Sequence, residues 1–227
     1  MAGIANTFEN DILKLVYNAT AIANVADNAA TSPFTNLYVA LHTADPGEAG
    51  DQTTSEATYT GYARVAVART SGGWTVTTNS VVNAATVTFG ACTAGTNTIT
   101  HYSVGVAASA ASKILHFGPV GAIANVGEFT STAADVITIP QVTLVVDDRV
   151  SFYPTPAAVL PTGMTEGTVY FIKTVSGNDY TIATTSGGTT IDLTTTGAGL
   201  VYKHGLLAVS SGITPSFAAS AISHKID

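Results

Sequence analysis

The chain has 227 residues, of which 46% are hydrophobic and only 10% are charged, and its formal net charge is −7. This length is enough for one large domain or two small domains, whereas the charged fraction lies well below the ~25% that is usual for soluble chains. Only eight residues are Lys or Arg, which argues against binding to nucleic acid or to an anionic membrane surface, since both need a basic surface.

The low charge has a further implication for the surface. Threonine, serine, alanine and glycine take the positions that charged residues usually occupy, and small uncharged groups suit close packing against other subunits. Cys92 is the only cysteine, so no internal disulfide can form. The N-terminus lacks the features of a secretory signal, and no stretch approaches the roughly 18 apolar residues of a membrane span. We therefore expect a protein that is made in the cytosol and stays there unless a larger particle carries it out.

One helix is predicted near the N-terminus, over residues 7–27. Thr7 is the predicted N-cap, Glu9 and Asp11 lie in the first turn, and Asn28 with Ser32-Pro33 marks the end. The helix either covers the open face of a sheet or docks on a neighbouring subunit. Its apolar stripe consists of Phe8, Ile12, Leu15, Val16, Ala19, Ile22, Ala23 and Ala26.

Strands follow the helix without further helical periodicity. Trp74, the only tryptophan, is interpreted as a core anchor. Because strand follows strand, the sheets should be antiparallel, and the fold class is predicted to be all-β, a β-sandwich or jelly-roll-like domain with one N-terminal α-helix. The predicted strands cover residues 36–43, 62–69, 74–78, 80–89, 97–106 and 113–117.

A second β-unit is predicted within the first. Residues 129–204 are expected to form a small, projecting β-module, and the tail is expected to supply the missing last strand of the first domain. The first domain would then be discontinuous, comprising residues 1–128 together with 205–227, because insertions are best tolerated at exposed loop tips. The predicted strands of the module cover residues 136–139, 142–146, 149–153, 168–175 and 180–184.

Two stretches of sequence resemble known phage proteins. The run LYVALHTADPGEAG at residues 37–50, with YTGYARVAV at 59–67 and GGWTV at 72–76, is similar to a family of small virion proteins of tailed bacteriophages that are often labelled tail-fibre-like. This resemblance covers roughly residues 5–118 and 205–217. The run LPTGMTEGTVYF at residues 160–171 resembles a module that recurs in phage tail and fibre proteins and in bacterial surface proteins. The resemblance implies a structural role and a location on the virion.

Three of the candidate interface residues lie between the first two predicted strands, and the other two, both arginines, lie on the second of these strands. Asp45-Pro46-Gly47 is a turn signal that opens a long acidic loop, which is either solvated or in contact with a partner. The two arginines beyond it either pair with the acidic loop of the same or an adjacent subunit or have a plain surface role. The candidates are Arg64, Arg69, Asp45, Glu48 and Asp51.

No catalytic, cofactor-binding or metal-ligating residues are predicted. The five histidines are scattered singly, without the spacing of metal ligands, and there is no nucleophile elbow, phosphate-binding loop or dinucleotide fingerprint. Asp147-Asp148 reads as a turn rather than a Ca²⁺ site. We therefore expect a protein that is not an enzyme and has no cofactor.

Two structural functions remain open. The favoured function is a capsid decoration or cement protein that binds the major capsid protein as a homo-oligomer, with a trimer favoured. The alternative is a tail fibre or tail-tip component that contacts tail proteins and a receptor on the host surface. A third possibility, an enzyme that degrades the host envelope, lacks a recognisable active-site pattern.

Overall fold

The computed structural model describes residues 6–22 and 34–226. This part of the chain contains one α-helix and 17 β-strands, and every strand pairing is antiparallel. The prediction of an all-β fold with one N-terminal helix and antiparallel sheets is confirmed.

The chain forms two compact units. The first comprises residues up to Val120 and from Leu206 onward, and the second comprises residues 121–205. The first unit begins with α1 (Asn6–Tyr17), β1 (Asn36–His42), β2 (Val65–Ala68), β3 (Trp74–Thr77), β4 (Ser80–Asn83), β5 (Val87–Thr88), β6 (Asn97–Ile99), β7 (His101–Gly105) and β8 (Ile114–Pro119). The second unit contains β9 (Ile123–Ser131), β10 (Ile137–Thr138), β11 (Arg149–Tyr153), β12 (Tyr170–Ser176), β13 (Asp179–Ala183) and β14 (Gly197–His204). The tail returns to the first unit with β15 (Leu207–Val209), β16 (Ser216–Phe217) and β17 (Ser223–Lys225).

The first unit is built around a four-stranded sheet with the order β2-β1-β7-β8. Three smaller sheets, β17-β4-β3, β15-β6 and β16-β5, complete it. One core cluster joins residues of α1 to residues of all these sheets. Trp74 is completely buried in this cluster, as predicted, and its ring meets that of Tyr17 edge-on at 5.2 Å. Burial of this pair holds α1 against β3 and β4, so the helix covers a sheet of its own unit.

Helix α1 ends at Tyr17 rather than at residue 27. Ala19 has a φ of 53°, a left-handed conformation that cannot continue an α-helix, and the N–H of Thr20 donates to the carbonyl of Lys14. The side chain of Asn18 donates to the carbonyl of Trp74 at 3.1 Å, which ties the helix end to β3. The predicted helix is therefore wrong for residues 18–22. Its remainder, its predicted stop signals and the side chain of Thr7 lie outside the described residues.

Three predicted strands do not form as single strands. The predicted strand 97–106 splits into β6 and β7, which pair with different strands. The predicted strand 80–89 splits into β4 and β5 because the buried Asn83 side chain donates to the carbonyls of Ala85 and Ala218 and accepts from the N–H of Ile222. The predicted strand 142–146 is a loop. Its backbone forms hydrogen bonds with the hydroxyl of Tyr180 and not with a neighbouring strand. The tail forms three short strands rather than one, and these pair with β6, β5 and β4.

The second unit is a closed six-stranded barrel with the order β10-β13-β12-β11-β14-β9. A separate core fills it, centred on Phe129, Phe152 and Tyr180. The two longest strands, β9 and β14, were not predicted, because glycine and small residues interrupt their alternation. Gly127 has a φ of 140°, and the pairing of β9 with β14 shifts register beside it. Closure of the barrel removes the open edges that a flat sheet of this size would present.

The first junction of the barrel lies earlier than the sequence suggests, at residue 121, whereas the second lies one residue after the predicted position. The predicted boundary at residue 129 falls inside β9, which begins the barrel at Ile123. Both ends of the barrel are neighbours, since β9 pairs with β14 and the N–H of Gly205 donates to the carbonyl of Ala122 at 3.0 Å. The ends of the first unit are neighbours as well. The N–H of Val120 donates to the carbonyl of Thr100, and Leu207 pairs with Ile99.

We predict that the first unit folds without the barrel. Replacement of residues 121–205 by a short Gly-Ser linker joins two chain ends that already lie on adjacent backbone segments, so closure adds little entropy cost. The truncated chain should keep a cooperative urea transition when it is followed by the fluorescence of Trp74, the only tryptophan. A non-cooperative transition, with Trp74 exposed in the absence of urea, would show that the two units depend on each other.

Candidate functional site

The candidate interface residues Asp45, Glu48 and Asp51 lie in the long loop of residues 43–64, which joins β1 to β2. The predicted turn at its start is present: an Asp45 carboxylate oxygen accepts from the N–H of Gly47 at 2.8 Å, and Gly47 has a φ of 69°. The carboxylates of Asp45 and Glu48 are exposed at this end of the loop. The start of the loop is therefore a fixed bend that displays acidic groups.

Asp51 makes a second fixed bend. One of its carboxylate oxygens accepts from the N–H of Thr53 at 2.7 Å and from the hydroxyl of Thr53 at 2.5 Å. These hydrogen bonds lower the pKa of Asp51 below its usual value. Asp51 thus stays ionised on the loop at neutral pH, and its assignment as an interface residue remains a prediction.

Arg64 is a buried residue that pairs within its own chain. Its Nε donates to Glu56 Oε1 at 2.7 Å and its Nη2 donates to Glu56 Oε2 at 2.8 Å, so the ion pair is bidentate. The same guanidinium donates to the carbonyl of Ala107 at 3.0 Å. Of the alternatives for Arg64, the structure gives the pairing with the acidic loop of the same subunit, and a plain surface role is ruled out because only 8% of the residue is exposed.

Gln52 extends the ion pair into the four-stranded sheet. Its amide nitrogen donates to the carbonyl of Tyr38 at 2.9 Å, and its amide oxygen accepts from the hydroxyl of Ser112 at 2.6 Å. Gln52 is completely buried against the backbone of Gly105, where a Cβ would lie only 2.2 Å from the amide carbon. Only glycine at position 105 leaves room for this side chain. Sequence analysis missed Gln52, because a lone Gln in a polar loop carries no pattern.

His42 and Ser103 form a contact that resembles part of a nucleophilic site. His42 Nε2 lies 2.7 Å from Ser103 Oγ, and Nδ1 lies 2.8 Å from the carbonyl of Thr54. Both residues are completely buried, and burial lowers the pKa of His42. A serine nucleophile has to reach its substrate, whereas this serine is enclosed. The pair therefore fastens the loop to β7.

Arg69 closes the C-terminal end of α1. Its guanidinium donates to the carbonyls of Leu15 and Val16, two of the last helical carbonyls, which lack partners inside the helix. A cation at this end also interacts favourably with the helix dipole. The structure thus places Arg69 at the helix end and Arg64 beneath the loop, so the two predicted arginines are not brought together.

A groove of about 520 Å³ runs along β8. It is lined by residues of β8, by Gly47, Glu48 and Gly50 of the loop, and by His224 of β17. His116 Nδ1 lies 2.6 Å from the hydroxyl of Tyr17, within hydrogen-bond distance, and the His116 ring stacks on His224 at 4.8 Å. Burial, with His224 as a second cause, lowers the pKa of His116 to about 3. The imidazole of His116 is therefore uncharged at physiological pH, whereas Glu48 and Lys113 bring charged groups to the lining of the groove.

Two kinds of site were sought in the described part of the chain. Residues 6–22 and 34–226 contain no group of three or more His, Cys, Asp or Glu residues that could hold a metal ion. The same residues include no helix with the length and apolar character needed to cross a membrane. In the barrel, Asp148 pairs with Lys203 at 2.6 Å, and Asp147 has a φ of 69° and accepts from Ser186. The two aspartates therefore form a turn, as predicted.

The sequence matches the model of a protein family. The model of the family described as podophage GP4 fiber I protein gp80 matches residues 3–147. No curated protein matches the chain. The matched segment supports the resemblance to phage virion proteins. The resemblance of residues 160–171 to a tail and fibre module lies outside this segment and remains a prediction.

We predict that Glu56→Gln destabilises the first unit by about 3 kcal/mol, because it leaves the buried Arg64 guanidinium without its counter-ion. Urea unfolding followed by Trp74 fluorescence measures the loss. The matched control is Glu48→Gln, which neutralises an exposed carboxylate of the same loop and should leave the midpoint unchanged. Equal midpoints for the two variants would show that the ion pair does not hold the loop.

We also predict a loss of stability in acid that depends on His116. The unfolded chain binds a proton at this residue below about pH 6.5, whereas the folded chain binds it only near pH 3. The neutral His116 therefore carries no cost in unfolding free energy above pH 6.5. As the pH falls from there toward 3, it lowers the unfolding free energy by about 1.4 kcal/mol per pH unit. Between pH 4 and 7, the unfolding free energy of His116→Gln should fall less steeply with decreasing pH than that of the wild type. The difference between the two slopes should correspond to about one bound proton. An unchanged slope would contradict the assignment.

Proposed function

The chain belongs to the family of podophage GP4 fiber I protein gp80 and is thus a structural protein of a phage particle, and we propose that it is a fibre component attached to the phage tail. The observation that carries the proposal is the family match, which covers the helix, the four-stranded sheet and the anchored loop. We propose tail proteins as partners of the first unit and a receptor on the host surface as the partner of the barrel.

The anchored loop supports attachment through the first unit. A loop of more than twenty residues is usually mobile, but here Arg64, Gln52 and His42 fix it from beneath. Its exposed acidic side chains therefore keep a defined geometry before any contact forms. Preorganisation of this kind lowers the entropy cost of binding. The partner surface would carry basic groups opposite Asp45, Glu48 and Asp51.

A role without catalysis is consistent with the use of the reactive side chains. His42 and Ser103 are enclosed, and His116 is kept neutral by burial. These groups stabilise the fold in positions where a substrate would have to displace the core. We accordingly propose a homo-oligomeric structural protein that needs no cofactor, with three subunits as the favoured number.

Capsid decoration is the second candidate, favoured by the charged fraction of only 10%. A surface with few ions can be buried against a capsid at low desolvation cost. The partner would then be the major capsid protein. The same particles test both candidates, since a decoration protein occupies the head in hundreds of copies and a tail fibre is present in few.

The deciding experiment labels the protein on purified particles. Antibody–gold labelling in electron micrographs, combined with copy number from quantitative mass spectrometry, should place the label at the tail with six to eighteen copies. Particles that lack the protein should keep intact heads and lose adsorption to the host. Label on the head in hundreds of copies, with heads that burst at low salt, would overturn the tail assignment and support decoration.

The role of the loop is testable on the same particles. In the triple variant Asp45→Asn, Glu48→Gln and Asp51→Asn, the side-chain oxygens that form the turns remain, and only the charges are lost. We expect its incorporation into particles to fall at least tenfold. The matched control neutralises three exposed carboxylates of the barrel, Glu128, Glu166 and Asp192, and should be incorporated normally. Normal incorporation of the loop variant would remove the loop from the attachment surface.

A further inference from the structure

The barrel carries a groove of about 250 Å³ on its outer surface, which we call the barrel groove. It lies over β10, β9 and β14, and residues of the segments that follow β10 and β11 complete its lining. The register places Thr138, Thr130 and Ala198 side by side on these strands. Thr130 is exposed, whereas Phe129 and Ser131 on either side of it are buried. The row of three side chains therefore points away from the core of the barrel.

Two glycines shape the lining of the barrel groove. A Cβ at Gly199 would lie 2.1 Å from the carbonyl oxygen of Tyr153, so β14 passes the end of β11 at a distance that only glycine allows. Gly127 has a φ of 140°, and a Cβ there would lie 2.8 Å from the Cβ of Gln141. The side chain of Gln141 is thus placed against the backbone of β9. The glycines that obscure β9 and β14 in the sequence therefore give this surface its shape.

Most polar side chains of the lining have unused hydrogen-bonding capacity. Within residues 6–22 and 34–226, four of them form no side-chain hydrogen bond: Glu128, Thr130, Gln141 and Thr155. The hydroxyl of Thr138 donates to a carboxylate oxygen of Asp179 at 2.6 Å and keeps its capacity to accept. A carboxylate accepts hydrogen bonds, while amides and hydroxyls both donate and accept. The barrel groove therefore offers donors and acceptors together to a single ligand.

The lining disfavours several classes of ligand. Both β9 and β14 pair with a strand on each side, so an extended peptide finds no free edge to join. Glu128 carries the single charge among the lining residues, so an anion would be repelled and would find no cation to pair with. A cation would satisfy the carboxylate and leave the amide and hydroxyl donors without an acceptor. The lining therefore fits a neutral ligand that is rich in hydroxyl groups.

An aromatic pair lies on the same outer face of the barrel. Leu200 pairs with Glu128 on one side and with Tyr153 on the other. Tyr153 is 37% exposed, and its ring meets that of Tyr202 edge-on at 5.2 Å. A tyrosine combines an apolar ring with a polar hydroxyl. The surface beside the barrel groove thus suits a ligand that has apolar faces as well as polar edges.

We propose that this outer face of the barrel binds a neutral carbohydrate chain, with one sugar ring in the barrel groove and the next against Tyr153 and Tyr202. A sugar ring has the matching chemistry, since its hydroxyl groups lie at the edge and its C–H bonds form apolar faces. Ala198 leaves the space for the first ring, and Glu128 and Gln141 bind its hydroxyl groups. The inference names the chemistry of the receptor on the host surface and rests on the proposed function of the barrel.

Saturation-transfer NMR on the full chain tests this site. The probes are maltose, lactose, cellobiose and diacetylchitobiose at millimolar concentration, and we expect saturation to pass from the protein to the protons of at least one of them. Ala198→Trp fills the barrel groove from an outward-facing position and should lower the affinity for that probe at least tenfold. The matched control is Thr174→Trp, which places the same ring at an exposed position of β12 and should bind like the wild type.

A second pair of variants keeps the shape of the barrel groove. Glu128→Gln replaces a charged acceptor by a neutral one, and hydrogen bonds to charged groups are stronger, so the affinity should fall about tenfold. Asp192→Asn removes an exposed carboxylate of the barrel outside the groove and should leave the affinity unchanged. Circular dichroism and an unchanged urea midpoint check that each variant is folded.

The outcomes separate this inference from the proposed function. The absence of saturation transfer to all four probes would overturn the carbohydrate site, even with the protein labelled at the tail. Unchanged binding by folded Ala198→Trp and Glu128→Gln would equally overturn it, because the sugar would then lie elsewhere. Binding that both variants weaken supports the site even if gold labelling places the protein on the head, in which case the tail assignment alone fails.

Discussion

The ion pair between Arg64 and Glu56 is the contact on which the first unit depends. It lies beneath a loop of more than twenty residues and, through the amide of Gln52 and the carbonyl of Tyr38, joins that loop to the four-stranded sheet. A buried pair of charges contributes little net free energy of folding when it is complete, but removal of one partner is costly. The pair therefore acts as a determinant of one loop conformation. It holds the base of the loop, while the bends at Asp45 and Asp51 hold the acidic residues above it.

Several of the few basic residues lie where the fold needs a positive charge. Arg64 neutralises a buried carboxylate, Arg69 satisfies the carbonyls at the end of α1, and Lys203 pairs with Asp148 in the barrel. Several of the eight basic residues thus serve internal contacts, so few cations remain for the surface. Such a surface has a low desolvation cost on contact, as a component of a particle requires.

The sequence predicted the fold class and the core role of Trp74, since alternation and burial of a large aromatic ring are strong local signals. It failed where side chains take over backbone hydrogen bonds. Asn83 interrupts a strand that its neighbours favour, and Asn18 helps to end a helix whose apolar stripe continues. It also missed β9 and β14, whose pairing is set by barrel closure and not by local preference. At the candidate site, the bend at Asp45 was predictable from turn chemistry, whereas the bend at Asp51 and the contacts of Gln52 were not predicted.

The neighbouring ends of the barrel have a mechanical consequence. Ala122 and Gly205 lie side by side, so the chain enters and leaves the barrel at one place, with its two segments in opposite directions. A pull on the barrel is shared by both covalent strands, and the hydrogen bonds between β9 and β14 are not sheared against each other. A single proteolytic cut in either connection would still leave the barrel tethered by the other.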